Sequence, residues 1–175
     1  CGAVGAALCG MVASLTTGKK KYVDVESEIQ HLLKSTNALH DKLLDQVRAD
    51  AEGFQPLSRA YAIPREDPTR AAVLQSAAET ACTAPLEIMA LCAAALSAAG
   101  RLEEIGSRLA VSDAGCAAAI LRGALEAAAL NVLVNTKTMT DRSAADHLNA
   151  RCFALLDQGR TDGERIFCAV RDQLV

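Results

Sequence analysis

VESEIQHLLKSTNALHDKLLDQVRADAEGFQPLSRAY, residues 25–61, is the stretch whose periodicity decides the fold. Advancing about 100° per residue, Val25, Ile29, Leu32, Leu39, Leu43, Val47, Phe54, Leu57 and Tyr61 fall within about 40° of one direction. Lys34, Asp41, Asp45, Arg48 and Glu52 gather on the opposite side, where water solvates them. Asp50 alone breaks the pattern, near the middle of the apolar stripe. An unpaired buried carboxylate costs several kcal/mol and has a raised pKa. Such a residue is either neutralised by a fixed structural partner or cap, or poised for proton transfer.

The same period extends outward. No segment sustains period-two alternation, aromatic residues make up 3% of the chain, and alanine-rich runs fill almost every stretch. The spacing predicts an all-α protein, a multi-helix bundle with long kinked helices. Helices are expected at about 2–16, 24–61, 66–99, 112–136, 141–158 and 162–173, punctuated by Gly18, Ile63-Pro64, Gly100, Gly106 and Gly159. Pro56 and Pro85 fall inside helices, where each removes a backbone donor and should bend or break the segment near Asp50 and Glu87. The second helix, about 57 Å long at 1.5 Å per residue, exceeds a small domain, so part of it is expected to pack against another subunit in a homodimer.

With 175 residues, 18.3 kDa, 51% hydrophobic and 22% charged residues, the chain should fill one core as a single domain over 1–175. A net charge of −3 and a pI near 5.6 offer no field for nucleic acid. The only concentrated positive patch is Lys19-Lys20-Lys21, either a local anion site or a solvated turn. Cys1, Cys9, Cys82, Cys92, Cys116, Cys152 and Cys168 lie among alanines and leucines with no Cys-x-x-Cys pair. They read as reduced core thiols of a cytoplasmic protein. His31, His40 and His147 are too dispersed for a metal site, and no nucleotide-binding loop or nucleophile elbow is present. The apolar run Cys1–Thr17 is too short to span a bilayer. It opens inside a helix without an initiator Met, so further residues are expected upstream.

The helix opening at Ser112 is expected to use that residue as N-cap, with Asp113 in its first turn. Its inner face reads Ala117, Ile120, Ala124, Ala127, Ala128, Asn131 and Asn135, with Arg122 and Glu126 paired outside. Asn131 and Asn135, one turn apart, either satisfy neighbouring backbone or present donors and acceptors to a ligand. Asp113 lies about 27 Å up the helix from Asn131, so one helix cannot bring both to one site.

Gly2-Ala3-Val4-Gly5-Ala6-Ala7-Leu8, Met11-Val12-Ala13-Ser14-Leu15-Thr16 and Gly18-Lys19-Lys20-Lys21-Tyr22 resemble the cyclodeaminase and cyclohydrolase family of folate one-carbon enzymes. The resemblance continues through Asp50-Ala51-Glu52-Gly53-Phe54, Ile63-Pro64, Ala84-Pro85-Leu86, Val111-Ser112-Asp113-Ala114-Gly115, Asn131-Val132 and Asn135. It departs in two places. A Pro-Gly-Gly-Gly-Ser segment usual before the position of Cys1 is absent, and Gly53 and Pro56 stand where good helix formers are usual.

The resemblance implies an all-helical dimer that binds a tetrahydrofolate derivative at or near the subunit contact and needs no further cofactor. It implies formimidoyltetrahydrofolate cyclodeaminase activity, with methenyltetrahydrofolate cyclohydrolase as the alternative. Asp50 would then be the general acid/base. Lys19, Lys20 and Lys21 would meet the glutamate-tail carboxylates. Asp113 would take the amino-pyrimidine edge of the pterin or merely charge the helix start. Asn131 and Asn135 would line the opposite wall, and Tyr22 would stack or donate. A rival of another class is a helical dimerisation scaffold without chemistry, which should show no saturable response to 5-formyltetrahydrofolate.

Overall fold

Alanine-rich segments with few β-branched residues favour helix throughout, and the computed structural model, which describes residues 1–175, contains no strand. Six α-helices make up the chain: α1 Gly2–Thr16, α2 Glu26–Tyr61, α3 Arg70–Ala81, α4 Thr83–Ile105, α5 Val111–Lys137 and α6 Arg142–Leu174. Short 3-10 turns at Lys20–Val25 and Arg108–Ala110 precede α2 and α5. Helix α5 packs against α1, α3, α4 and α6, while α2 packs against α1, α3 and α4. The main core joins α1, α4 and α5 through residues such as Val12, Met89, Leu96, Leu102, Leu121 and Val132. A smaller cluster of Leu57, Ala60, Ala77, Ala78, Ala81, Met139 and Ala145 secures the far end of α2.

Several boundaries differ from the sequence expectation, for identifiable reasons. The 66–99 segment is two helices that part at Cys82, three residues before Pro85, because a proline disturbs the turn N-terminal to itself. Pro56, by contrast, sits inside a continuous α2. The expected break at Gly159 is absent, and 141–158 and 162–173 form the one helix α6. Gly100 is likewise interior to α4, whereas Gly106 does end it. Ser112 is not a cap: α5 begins at Val111 with Ala110 at the N-cap and no side-chain cap bond. The side-chain cap belongs instead to Asp141, which accepts the Ala144 N–H at 3.0 Å. Arg122 and Glu126 do not pair with each other but with Glu164 and Arg160 of α6.

Gly159 breaks no helix because its role is close approach. A Cβ there would stand 2.5 Å from Leu125 Cδ1, and one at Gly115 2.9 Å from Val170 Cγ1, so bare backbone lets α5 and α6 nest. Gly18, at φ 72°, is the one residue in the left-handed region, where glycine carries no steric cost and reverses the chain between α1 and the first 3-10 turn.

The tightest spot is Gly106, where an added Cβ would meet the Leu102 carbonyl oxygen at 2.4 Å and Val12 Cγ1 at 3.1 Å. The next residue, Ser107, donates its N–H to Thr16 Oγ1 at 2.8 Å in a buried bond joining α1 to the end of α4. Gly106→Ala is expected to lower unfolding stability by about 1–3 kcal/mol, since backbone cannot retreat as a side chain can. Denaturant melts would measure it, and an unchanged midpoint would refute the clash.

All seven thiols are free. Cys9, Cys82, Cys92 and Cys152 are fully buried, as expected of small apolar residues, but Cys1 and Cys116 are exposed and Cys168 is half-buried. Two stretches, 70–105 and 108–137, contain 18-residue windows of mean hydropathy 1.6, apolar and long enough by composition to cross a membrane. Of the window in the first, 67% is buried within the protein, and of that in the second 39%. Leu130 and Val134 of α5 are 67% and 58% exposed, apolar side chains without a partner within one chain.

Candidate functional site

The C-terminal halves of α2 and α5 converge near the start of α1 and enclose a groove of about 460 Å³. Leu43, Leu44, Val47, Asp50, Ile88 and Asn131 are among its walls. A recess of about 110 Å³ adjoins it, lined by Asp50, Phe54, Ala81, Pro85, Asn131, Val134 and Asn135. Asp50 and Asn131 belong to both spaces, so the tertiary fold brings together three of the residues singled out from sequence, from helices 81 positions apart at Asp50 and Asn131.

Asp50 corrects the expectation that singled it out. It is exposed to solvent, and none of the eight ion pairs within the chain includes it. The apolar stripe of α2 is core at Ile29, Leu43 and Leu57, yet between the last two it opens to water. Val47 is 72% exposed and Phe54 50%. Period alone shows direction from the helix axis; it does not show whether another layer lies there. Asp50 thus stands in an apolar, uncovered surround.

Asn131 is also exposed, at the groove wall, as is Ala127. The buried face of α5 keeps Ala117, Ala128 and Asn135 of the expected one but is rotated toward Ala114, Ala118, Leu121, Leu125, Ala129 and Val132. Asn135 is 8% exposed and donates its Nδ2 hydrogen to the Ala81 carbonyl at 3.1 Å. Of the two readings open for the asparagines, this half of the Asn135 amide satisfies backbone.

The remaining candidates lie elsewhere. Lys19, Lys20 and Lys21 are exposed. Lys21 and Tyr22 line a separate cavity of about 310 Å³ with Asp24, Glu104, Gly106 and Arg108. Tyr22 accepts the Arg108 backbone N–H on its hydroxyl at 3.2 Å, and Lys21 Nζ lies 5.6 Å from its ring centre. That N–H bond, with smaller help from Ser107 and the Lys21 and Lys19 charges, holds the phenol below its ordinary pKa. Bidentate pairing of Arg101 with Glu28 at 2.6 and 2.9 Å fixes the start of α2 here. From Glu26 to Asp50 the helix rises about 36 Å. Asp113, half-buried in the first turn of α5, is likewise about 27 Å from Asn131. One chain does not unite Lys19, Lys20, Lys21, Tyr22 and Asp113 with Asp50.

No cluster of three His, Cys, Asp or Glu side chains is placed to hold a metal ion. His40 pairs with Asp41 at 3.0 Å and lines none of these cavities. Residues the sequence reading missed include Phe54, Val134, Pro85 and Arg108. Phe54 carried a signal, standing one turn beyond Asp50 on the same stripe. Arg108 had none, since only tertiary packing sets its backbone against Tyr22.

Residues 1–154 match the formiminotransferase-cyclodeaminase family. A methenyltetrahydrofolate cyclohydrolase of Methylorubrum extorquens is 36% identical over 99% of this chain and 85% of its own length. A formimidoyltransferase-cyclodeaminase of Sus scrofa is 31% identical over 91% of this chain, which spans 30% of that longer protein. The solved structure of a formiminotetrahydrofolate cyclodeaminase from Thermotoga maritima superposes with a TM-score of 0.91 at 25% identity, covering 99% of this chain and 85% of that one.

Proposed function

The chain belongs to the formiminotransferase-cyclodeaminase family, and from that premise we propose that it hydrolyses the methenyl bridge of 5,10-methenyltetrahydrofolate, with Asp50 as general acid/base. The observation that carries this reading is the meeting of Asp50, Asn131 and Asn135 around one recess in an apolar groove. Near-full-length similarity to a cyclohydrolase supports hydrolysis. Cyclodeamination of 5-formiminotetrahydrofolate is the second reading, supported by the fold shared with a cyclodeaminase.

The two reactions ask the same of the carboxylate. In hydrolysis, water attacks the carbon between the two nitrogens, and Asp50 takes the proton that the water loses. The tetrahedral adduct then collapses to a formyl group as its hydroxyl proton passes to solvent, one carbon–nitrogen bond breaks, and Asp50 returns the first proton to the departing nitrogen. In cyclodeamination, N10 attacks the carbon of the protonated formimino group and gives up its proton to the base, which returns it to the amine so that ammonia leaves. The bridged substrate is cationic, so a carboxylate in an apolar surround also attracts it. Asn131 and the free face of Asn135 would orient the polar edges of the substrate.

The working form is a homodimer in this reading. Leu44, Val47, Phe54 and Val134, each at least 50% exposed, line the Asp50 groove and its recess on α2 and α5, and Leu130, 67% exposed, precedes Asn131 on α5. A second copy laid over them would exclude water from Asp50 and strengthen its electrostatics. It would also supply Lys19, Lys20, Lys21, Tyr22 or Asp113 from the other end of the partner's helices, where the folate tail and pterin need partners. Seven unpaired thiols support a reducing, cytoplasmic compartment. Sedimentation is expected to give about twice 18.3 kDa. Leu130→Asp should shift it to a monomer with little activity, and an active wild-type monomer would refute the shared site. Catalysis itself is tested by following the methenyl absorbance and, separately, ammonia release from the formimino substrate.

A further inference from the structure

An α-helical turn at Ala81 would offer that carbonyl to the N–H four residues on, but residue 85 is proline and has no N–H to give. The backbone pairs on either side of this missing rung. Cys82 donates to the Ala78 carbonyl at 3.2 Å, and Leu86 donates to the Cys82 carbonyl at 3.1 Å. The Ala81 carbonyl is taken instead by a side chain from another helix, Asn135 Nδ2, at 3.1 Å.

That bond determines which way the amide faces. A carbonyl can only accept, so the NH₂ of Asn135 must be the end that meets Ala81, which leaves Oδ1 at the other end. Oδ1 makes no hydrogen bond within the chain, and no buried side-chain polar atom lacks a partner. Oδ1 is therefore open to solvent, although Asn135 as a whole is 8% exposed. Ala81, Pro85 and Asn135 line the same small recess as Asp50 and Asn131.

We propose that Pro85 is a positioning residue: by withholding a donor from Ala81 it makes Asn135 donate there, and so fixes Asn135 Oδ1 as a hydrogen-bond acceptor for a substrate N–H beside Asp50. The inference rests on the folate reading for its substrate but not for its geometry. A free amide could flip and offer its NH₂ in the same place, losing discrimination between donors and acceptors.

The test combines kinetics with the side-chain amide itself. Pro85→Ala restores an N–H that can compete for Ala81. It is expected to lower kcat/KM for 5,10-methenyltetrahydrofolate about tenfold, the scale of one uncharged hydrogen bond, while the melting temperature holds or rises. In the wild type, the Asn135 side-chain NH₂ should exchange slowly with solvent by NMR, and in Pro85→Ala it should exchange as fast as surface amides. On an Asn135→Ala background, Pro85→Ala should change kcat/KM no further. Asn135→Asp, which keeps the size but has no donor for Ala81, should lose as much as Asn135→Ala. An unchanged amide in Pro85→Ala, full additivity in the double variant, or an active Asn135→Asp would overturn the proposal. Should Pro85→Ala misfold, Pro85→Gly restores the same donor. A wild type inactive on folates would overturn the proposed function instead, and the amide exchange would then decide the role of Pro85 by itself.

Discussion

Asp50→Asn is expected to reduce turnover of 5,10-methenyltetrahydrofolate by about 10²–10⁴-fold, the range of general acid/base catalysis, while leaving the fold intact. The substitution keeps size and shape and removes only the capacity to carry a proton at that point. Asp50 is exposed in the single chain and absent from its ion pairs, so the stability of the chain's own fold should change by no more than about 0.5 kcal/mol. Binding should weaken less than turnover, because the apolar groove and Asn131 are untouched. The measurement is the decay of methenyl absorbance beside a thermal melt and a sedimentation run. Loss of turnover with sedimentation and melt unchanged supports Asp50 as the proton carrier. Turnover kept in the variant would return Asp50 to an ordinary surface carboxylate and leave the groove without its base.

A second large effect is expected in alkaline solution. Burial pushes the Cys9 thiol up to about 12 and those of Cys82 and Cys92 up to about 11, from an ordinary value of 9.0. Below pH 9 the folded and unfolded chains both hold these protons, and the stabilisation is fully present. Above pH 9 the unfolded chain releases them while the folded chain cannot, so stability falls as pH rises until the folded values are reached. Three such thiols give a slope approaching about 4 kcal/mol per pH unit between pH 9 and 11 and about 9 kcal/mol in all, enough to consume a stability in the lower half of the marginal range. Tyr22 works in the opposite direction, since its phenol is held low in the fold, but it is one surface group against three buried ones. Denaturant unfolding under reducing conditions should show a level plateau to pH 9 and then a steep decline. Each of Cys9→Ala, Cys82→Ala and Cys92→Ala should flatten that decline, whatever it costs at neutral pH. Equal slopes in wild type and triple variant would show that the thiols do not drive it.

Helical class and much of the candidate site were legible in the chain because both depend on local spacing. The i, i+3, i+4 recurrence in α2 brought out Asp50, Phe54 and Leu57, and the one-turn interval of Asn131 and Asn135 put those amides at the same end of α5. The glycines were harder to read. Gly159 looked like a helix stop, yet it is the place where Leu125 needs room, a fact that belongs to a second helix. Pro85 announced a disturbance but gave no hint that the orphaned Ala81 carbonyl would be met by Asn135, 54 positions away.

By itself, then, the sequence determined that this protein is helical, which residues share a direction on each helix, and which family it resembles. These follow from the period of the backbone and from residue chemistry. Tertiary structure alone decided that Asp50 faces open groove instead of core. It also decided that Lys21, Tyr22 and Arg108 form a separate cavity about 36 Å away along α2, and that half of Asn135 serves the backbone. The physical reason is that a side chain's energy depends on what occupies the space it points into, and that space is filled by residues distant in the chain.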